Sequence, residues 1–156
     1  MKKMYQRKVA VNQLKTEFFA LSENEGLARS VVCAFAAQCG PSVSELADVR
    51  CAVSEAVTNA IVHGYAARGG KNTVYIHTTL YADRSIRIVV RDKGRGIEDI
   101  AKAMEPLYTT DETGERSGMG FSIMQSFMDS VRVLSRPGLG TSVMMKKSFA
   151  KKDGND

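Results

Sequence analysis

The chain has no tryptophan, three prolines, three cysteines and two histidines among 156 residues. Cys33, Cys39 and Cys51 form an odd set without a Cys-x-x-Cys pair, and two histidines cannot complete a metal cage around them. Neither a disulfide scaffold nor a zinc site is expected, and the cysteines read as small core fillers. No uninterrupted apolar run approaches the roughly 20 residues that a membrane span needs. The basic opening, Met1 to Lys8, is not followed by an apolar stretch with a small-residue cleavage site, so no membrane association or secretion is expected and the cytoplasm is the expected address. Hydrophobic residues at 44% and charged residues at 25% are ordinary for a globular protein, and the length suits one domain. A single domain over residues 1–156 is expected, with 1–11 and 148–156 as loose ends.

The formal net charge is +5. The excess sits on Lys2, Lys3, Arg7 and Lys8 and on the lysines from Lys146 onward, which leaves the body of the chain near neutral. A nucleic-acid partner needs a basic stripe on a folded face, so direct binding of DNA or RNA is not expected.

The periodicities predict an interleaved order of strands and helices. Leu14 to Leu21 reads as a strand, and Ser22-Glu-Asn-Glu25 as a capping box opening a helix whose stripe is Leu27, Val31, Val32, Phe35 and Ala36. Gly40-Pro41 stops it. Ser42-Val-Ser-Glu45 repeats the capping pattern, and Leu46, Val49, Val53, Val57, Ala60 and Ile61 mark the buried side of a longer second helix. Thr73 to Tyr81 and Ile86 to Val90 alternate as a hairpin around Ala82-Asp-Arg-Ser85. Between Gly94 and Gly120 the pattern dissolves, apart from a short helix near Glu98 to Met104, and a stretch of that length is expected to act as a lid. A helix over Met119 to Met128 and a hairpin of Val131–Leu134 with Thr141–Phe149 close the chain. The fold class expected is α+β: a two-layer sandwich with helices on one face of a mixed β-sheet.

Three places could carry chemistry. Glu55 and Asn59 lie four residues apart on the second helix, about 40° apart around its axis, and His63 extends the same line. Such a line also suits a solvated helix face, and His63 alone suits a packed side chain. Asp92 falls in phase with Ile86, Ile88 and Val90, so a carboxylate points to the core side. There it needs a donor from a ligand or from its own chain, where a turn into Gly94 could supply one. Finally, Gly94-Arg-Gly96 and Ser117-Gly-Met-Gly120 could bring backbone amides to an anion, the second at a helix start. Neither completes a Gly-x-Gly-x-x-Gly fingerprint, since Asp99 and Ile123 hold the third positions, and Tyr65 and Asn72 spoil a P-loop around Gly70-Lys71.

Taken in order, Ser54-Glu-Ala-Val-Thr-Asn59 with His63-Gly64, Asp92-Lys-Gly-Arg-Gly96, Arg116-Ser-Gly-Met-Gly120 and Gly140-Thr141 resemble the ATPase fold shared by gyrase, the heat-shock chaperone, sensor histidine kinases and MutL. Pro-Leu-Tyr-Thr-Thr and Glu-Arg-Ser-Gly-Met-Gly-Phe make the chain similar, over about Leu14 to Lys147, to the anti-sigma F factors, serine kinases of the bacterial sporulation programme. The resemblance implies ATP or ADP and Mg²⁺ as cofactors. It implies Asn59 as the metal ligand, Glu55 as the general base for a serine hydroxyl, Asp92 as acceptor from the adenine amino group and Thr141 as its helper. Gly94, Gly96, Ser117, Gly118, Met119 and Gly120 would line the base and phosphates, with Arg116 near the γ-phosphate. It further implies a homodimer, a sigma factor of the F type and an anti-anti-sigma protein as partners, and Glu25 and Arg29 as a sigma-docking surface. Asp111 stands where related chains carry a lysine, so no cationic phosphate contact is implied there. A nucleotide-switched binding module without phosphotransfer, or a stress-response kinase of the same family, are the alternatives.

Overall fold

The computed structural model describes residues 7–65, 71–106 and 120–151. The chain runs β1 (Ala10–Phe19), α1 (Glu23–Ala36), α2 (Val43–Thr58), β2 (Thr73–Tyr81), β3 (Ser85–Arg91), α3 (Ile100–Ala103), α4 (Gly120–Phe127), β4 (Ser130–Arg136) and β5 (Gly140–Ser148). A 3₁₀ turn, Ala37–Cys39, follows α1, and α2 continues into a π-helical turn, Asn59–Gly64. The five strands form one sheet in the order β1-β2-β3-β5-β4. Its inner face and the helices α1, α2 and α4 bury a single cluster that includes Val32, Val53, Ile88, Met124 and Met145. The expected α+β sandwich is therefore present.

The sheet is antiparallel throughout, and not mixed as expected. Two helices separate β1 from β2, so the chain returns reversed, and β2–β3 and β4–β5 are consecutive antiparallel pairs. β3 and β4 do run the same way, but β5 inserts between them and the parallel pair never meets.

Two further expectations are corrected at α1. Ser22 has helical torsions and its side chain makes no capping bond: the Glu25 amide donates to the Ser22 carbonyl at 3.3 Å, and the Glu25 carboxylate is engaged by Ser54 and Arg29. Leu27 is 55% exposed, and the buried line runs through Ala28, Val32, Phe35 and Ala36. The second box is formed as read: Ser42 Oγ accepts from the Glu45 amide at 3.1 Å, and the Glu45 carboxylate accepts from the Ser42 amide at 2.8 Å.

The segments expected to be loose are tied down where they are described. Lys8 pairs with Asp83 at 2.9 Å, β1 begins at Ala10, Phe149 is buried, and the Ala150 amide donates to Glu45 at 2.7 Å. Of the cysteines only Cys33 is buried. Cys39 is half-buried and Cys51 is exposed on α2, so the filler role holds for one of the three. Burial raises the thiol pKa of Cys33 and, less deeply placed, of Cys39.

Candidate nucleotide site

A cavity of about 830 Å³ opens between α2 with its π turn, the end of β3, the loop after it, α3, the first two residues of α4 and the start of β5. Ligand pockets commonly fall between about 300 and 1,000 Å³. Glu25, Glu55, Asn59, Asp92, Gly96, Gly120 and Thr141 line it, so residues far apart in the sequence share one wall system.

Asp92 is the buried end of the cavity, 5% exposed. Its amide donates to the Thr141 carbonyl at 2.9 Å, which continues the β3–β5 ladder and places Thr141 beside it. Its Oδ1 accepts from the Gly94 amide at 2.9 Å, so the carboxylate closes a turn on its own chain and still faces the cavity. Of the two readings left open by the sequence, the turn into Gly94 is formed, and the carboxylate that forms it also lines the cavity. Close approach of backbone makes this possible. The Arg95 amide donates to the Gly64 carbonyl at 2.9 Å, which packs the loop against the end of the π turn. Gly94 is itself pressed on Gly64 and lies behind the wall, so it shapes the cavity from outside. Gly96 has φ of +73°, a left-handed conformation that a side chain disfavours, where the chain turns into the wall.

At the other end, Glu55 and Asn59 converge. A Cβ placed on Gly120 would lie 3.2 Å from Glu55 Oε2 and 3.2 Å from the Asn59 amide nitrogen, so both polar tips meet the start of α4. The one-turn spacing on α2 sets this up, and the π turn beginning at Asn59 widens the helix where a functional site borders it. α3 supplies the roof: Asp99 Oδ1 accepts from the Lys102 amide at 3.0 Å and caps it.

Glu25 joins the wall from α1. Its Oε1 accepts from Ser54 Oγ and from Arg29 Nη1, the latter at 3.4 Å. Arg29, paired with Glu25, does not itself line the cavity. Arg116, Ser117, Gly118 and Met119 lie outside the described residues. Ser54, Thr58, His63, Arg95, Ile97 and Lys102 line the cavity without having been singled out for binding. Ser54 and Thr58 each adjoin a chosen residue on α2, and Arg95 sits between two chosen glycines. Lys102 had no sequence signal beyond the short helix that holds it.

The charge of the cavity decides what it can hold. Glu25, Glu55, Asp92, Glu98 and Asp99 face Arg95 and Lys102, so the described wall carries an excess of carboxylates. A polyphosphate would be repelled unless a divalent cation came with it. Among the described residues no group of three His, Cys, Asp or Glu side chains could cage a metal ion alone. Asn59 puts a hard amide oxygen on this wall beside the Glu55 carboxylate, donors of the kind that suit an ion shared with phosphate oxygens and water.

Residues 18–147 match the family model described as "Histidine kinase-like ATPase domain". An anti-sigma F factor of Clostridium acetobutylicum is 52% identical over 139 residues, covering 89% of this chain and 95% of that protein. The chain belongs to the anti-sigma F factor family, within the histidine kinase-like ATPases. A second anti-sigma F factor, from Bacillus licheniformis, is 46% identical over 140 residues, 90% of this chain and 94% of that protein. Among solved structures, the RsbU and RsbW domains of a Mycobacterium tuberculosis protein superpose with a TM-score of 0.67 at 20% identity. The match covers 90% of this chain and 33% of that one, and it supports the fold alone. No helix among the described residues is long and apolar enough to cross a membrane.

Proposed function

We propose that this chain is a nucleotide-dependent anti-sigma factor and protein serine kinase. It binds and holds off a sigma factor of the F type in the sporulation programme, and it phosphorylates an anti-anti-sigma protein on serine with Mg-ATP. The observation that carries this reading is the shared cavity: a buried carboxylate, Asp92, at one end and the Glu55–Asn59 pair meeting the start of α4 at the other.

Asp92 accepts from the adenine amino group, with Thr141 beside it. Gly96 lets the backbone turn in beside the base, and Gly94 lets the loop pack on Gly64 behind it. Asn59 offers its amide oxygen to Mg²⁺, which when bound neutralises phosphate charge and orients the terminal phosphate. Glu55, one turn earlier, takes the proton of the incoming serine hydroxyl, and its position beside Asn59 keeps base and phosphate within reach of each other. Ser117, Gly118, Met119 and Gly120 close on the phosphates, with Arg116 stabilising charge at the γ-phosphate. Phosphoryl transfer depends chiefly on positioning and charge, so these parts suffice. The protein acts as a cytoplasmic homodimer, with Arg29, 40% exposed, as the outer handle for the sigma factor and Glu25 as its inner support.

Incubation with γ-labelled ATP, Mg²⁺ and a candidate anti-anti-sigma protein tests the reading. Label on a serine of the acceptor supports a kinase. Free phosphate alone would indicate an ATPase, and neither product would leave a nucleotide-switched binding module.

A further inference from the structure

The β2–β3 ladder stops one rung early, and a phenol stands in the gap. β2 and β3 are in register with Tyr75 opposite Arg91 and Ile76 opposite Val90. The same register carried two residues further sets Thr73 opposite Lys93. In place of a direct rung there, the Tyr65 hydroxyl accepts from the Lys93 amide at 2.7 Å and donates to the Thr73 carbonyl at 2.5 Å. Tyr65 follows the π turn and is 6% exposed, packed in the main core cluster. Its neighbour Gly64 is the residue that touches the Asp92 carboxyl group and accepts from the Arg95 amide.

These contacts bracket Asp92. Its own amide is fixed by Thr141, the next amide by Tyr65, and the Arg95 amide by Gly64. Of these three supports only that at Lys93 comes from a side chain. An oxygen inserted between two strands holds them further apart than a direct amide–carbonyl bond would. Beyond Arg91 the link from β3 to β2 therefore runs through the phenol, while Asp92 stays tied to β5 through Thr141.

We infer that Tyr65 is a positioning residue whose hydroxyl wedges the ladder open and thereby aims the Asp92 carboxylate at the exocyclic amino group of an adenine base. The inference rests on the proposed role of Asp92 and goes beyond it by assigning base selectivity to a residue that does not line the cavity. Removing the hydroxyl takes away the bridge between Lys93 and Thr73 and lets the two strands approach or shift. Either outcome moves the carboxylate.

The test uses adenosine and inosine, which differ at position 6 of the purine, where inosine presents an oxygen that a carboxylate repels. Affinities are measured by calorimetry for the full chain and for Tyr65→Phe and Asp92→Asn. The full chain should prefer adenosine, and Asp92→Asn should abolish the preference. Tyr65→Phe should cut the adenosine-to-inosine ratio by about fivefold to tenfold, the span for one misaligned hydrogen bond. Loss of stability alone would weaken both nucleosides equally, so an unchanged ratio in Tyr65→Phe overturns the inference while the role of Asp92 stands. Absence of any preference in the full chain, or its survival in Asp92→Asn, overturns both.

A second variant guards against failure of Tyr65→Phe to fold. 3,5-Difluorotyrosine at position 65 keeps the shape of the ring but ionises at a lower pH. Its phenolate cannot donate to the Thr73 carbonyl. The ratio should fall as this variant ionises and stay level in the full chain over the same pH range, because burial raises the pKa of the natural phenol. A ratio that is level in both overturns the inference.

Discussion

Gly64 lies so close to Asp92 that a Cβ on the glycine would stand 2.8 Å from the carboxyl carbon and 2.9 Å from Oδ1. The end of the π turn and the end of β3 are therefore in backbone-to-carboxyl contact, with no room for a methyl group. Gly64→Ala must push one of them away. Overpacking of this kind costs about 1–3 kcal/mol, and here it acts on the group proposed to read the base. Urea unfolding should show the loss of stability, and adenosine titration should show weakened binding. Native affinity in a folded Gly64→Ala protein would mean that the Asp92 carboxylate is not where the base binds.

The proposed base gives a second expectation. Glu55 meets Asn59 and the start of α4, but Asp92 sits at the far end of the cavity. Glu55→Ala should therefore leave adenosine binding intact and slow transfer to the acceptor serine by about 10² to 10⁴, the usual span for a lost general base. Single-turnover measurement with labelled ATP checks this. Equal rates would remove Glu55 from proton transfer, and loss of adenosine binding would show that it supports the fold of the cavity.

How far the sequence disclosed this arrangement depends on the reach of each interaction. The Ser42–Glu45 box is complete within four residues, and it formed as the pattern states. Ser22–Glu25 has the same pattern, but Glu25 is claimed by Ser54, 29 residues on, and a local rule cannot see that competitor. β1 begins at Ala10, earlier than its apolar alternation suggests, because pairing with β2 as far as Tyr81 defines it. In the site, Glu55, Asn59 and Asp92 were legible, two by helical spacing and one by an acid out of place in an apolar strand. Tyr65 was not, since its hydroxyl acquires a purpose only when Thr73 and Lys93 are brought to either side of it.

Thr78 provides a test of the core independent of any ligand. It is fully buried between β1 and β3, and its hydroxyl has no hydrogen-bond partner among the described residues. A buried hydroxyl left unpaired carries a desolvation cost of about 1–3 kcal/mol. Thr78→Val replaces it with a methyl of similar shape and favours the strand. The variant should unfold at a higher urea concentration, with a gain on the order of 1 kcal/mol. A loss of stability would reveal a partner for the hydroxyl, such as an ordered water.

Glu45 links stability to pH. Its carboxylate accepts from the Ala150 amide and from the Ser42 amide, and these bonds hold its pKa below the usual carboxylate value, the Ala150 bond contributing most. A depressed folded-state pKa favours folding above the unfolded-state value of about 4.3, and that contribution disappears as pH falls through the folded-state value. The group is close to solvent, so the effect is modest. Glu45→Gln should thus be less stable than the natural chain near neutral pH, and the two should converge in acid. Urea unfolding at pH 7 and near pH 3 measures the difference at each end. A gap that stays constant between the two pH values would assign the role of Glu45 to neutral hydrogen bonding, with no share for its charge in holding the last strand to the start of α2.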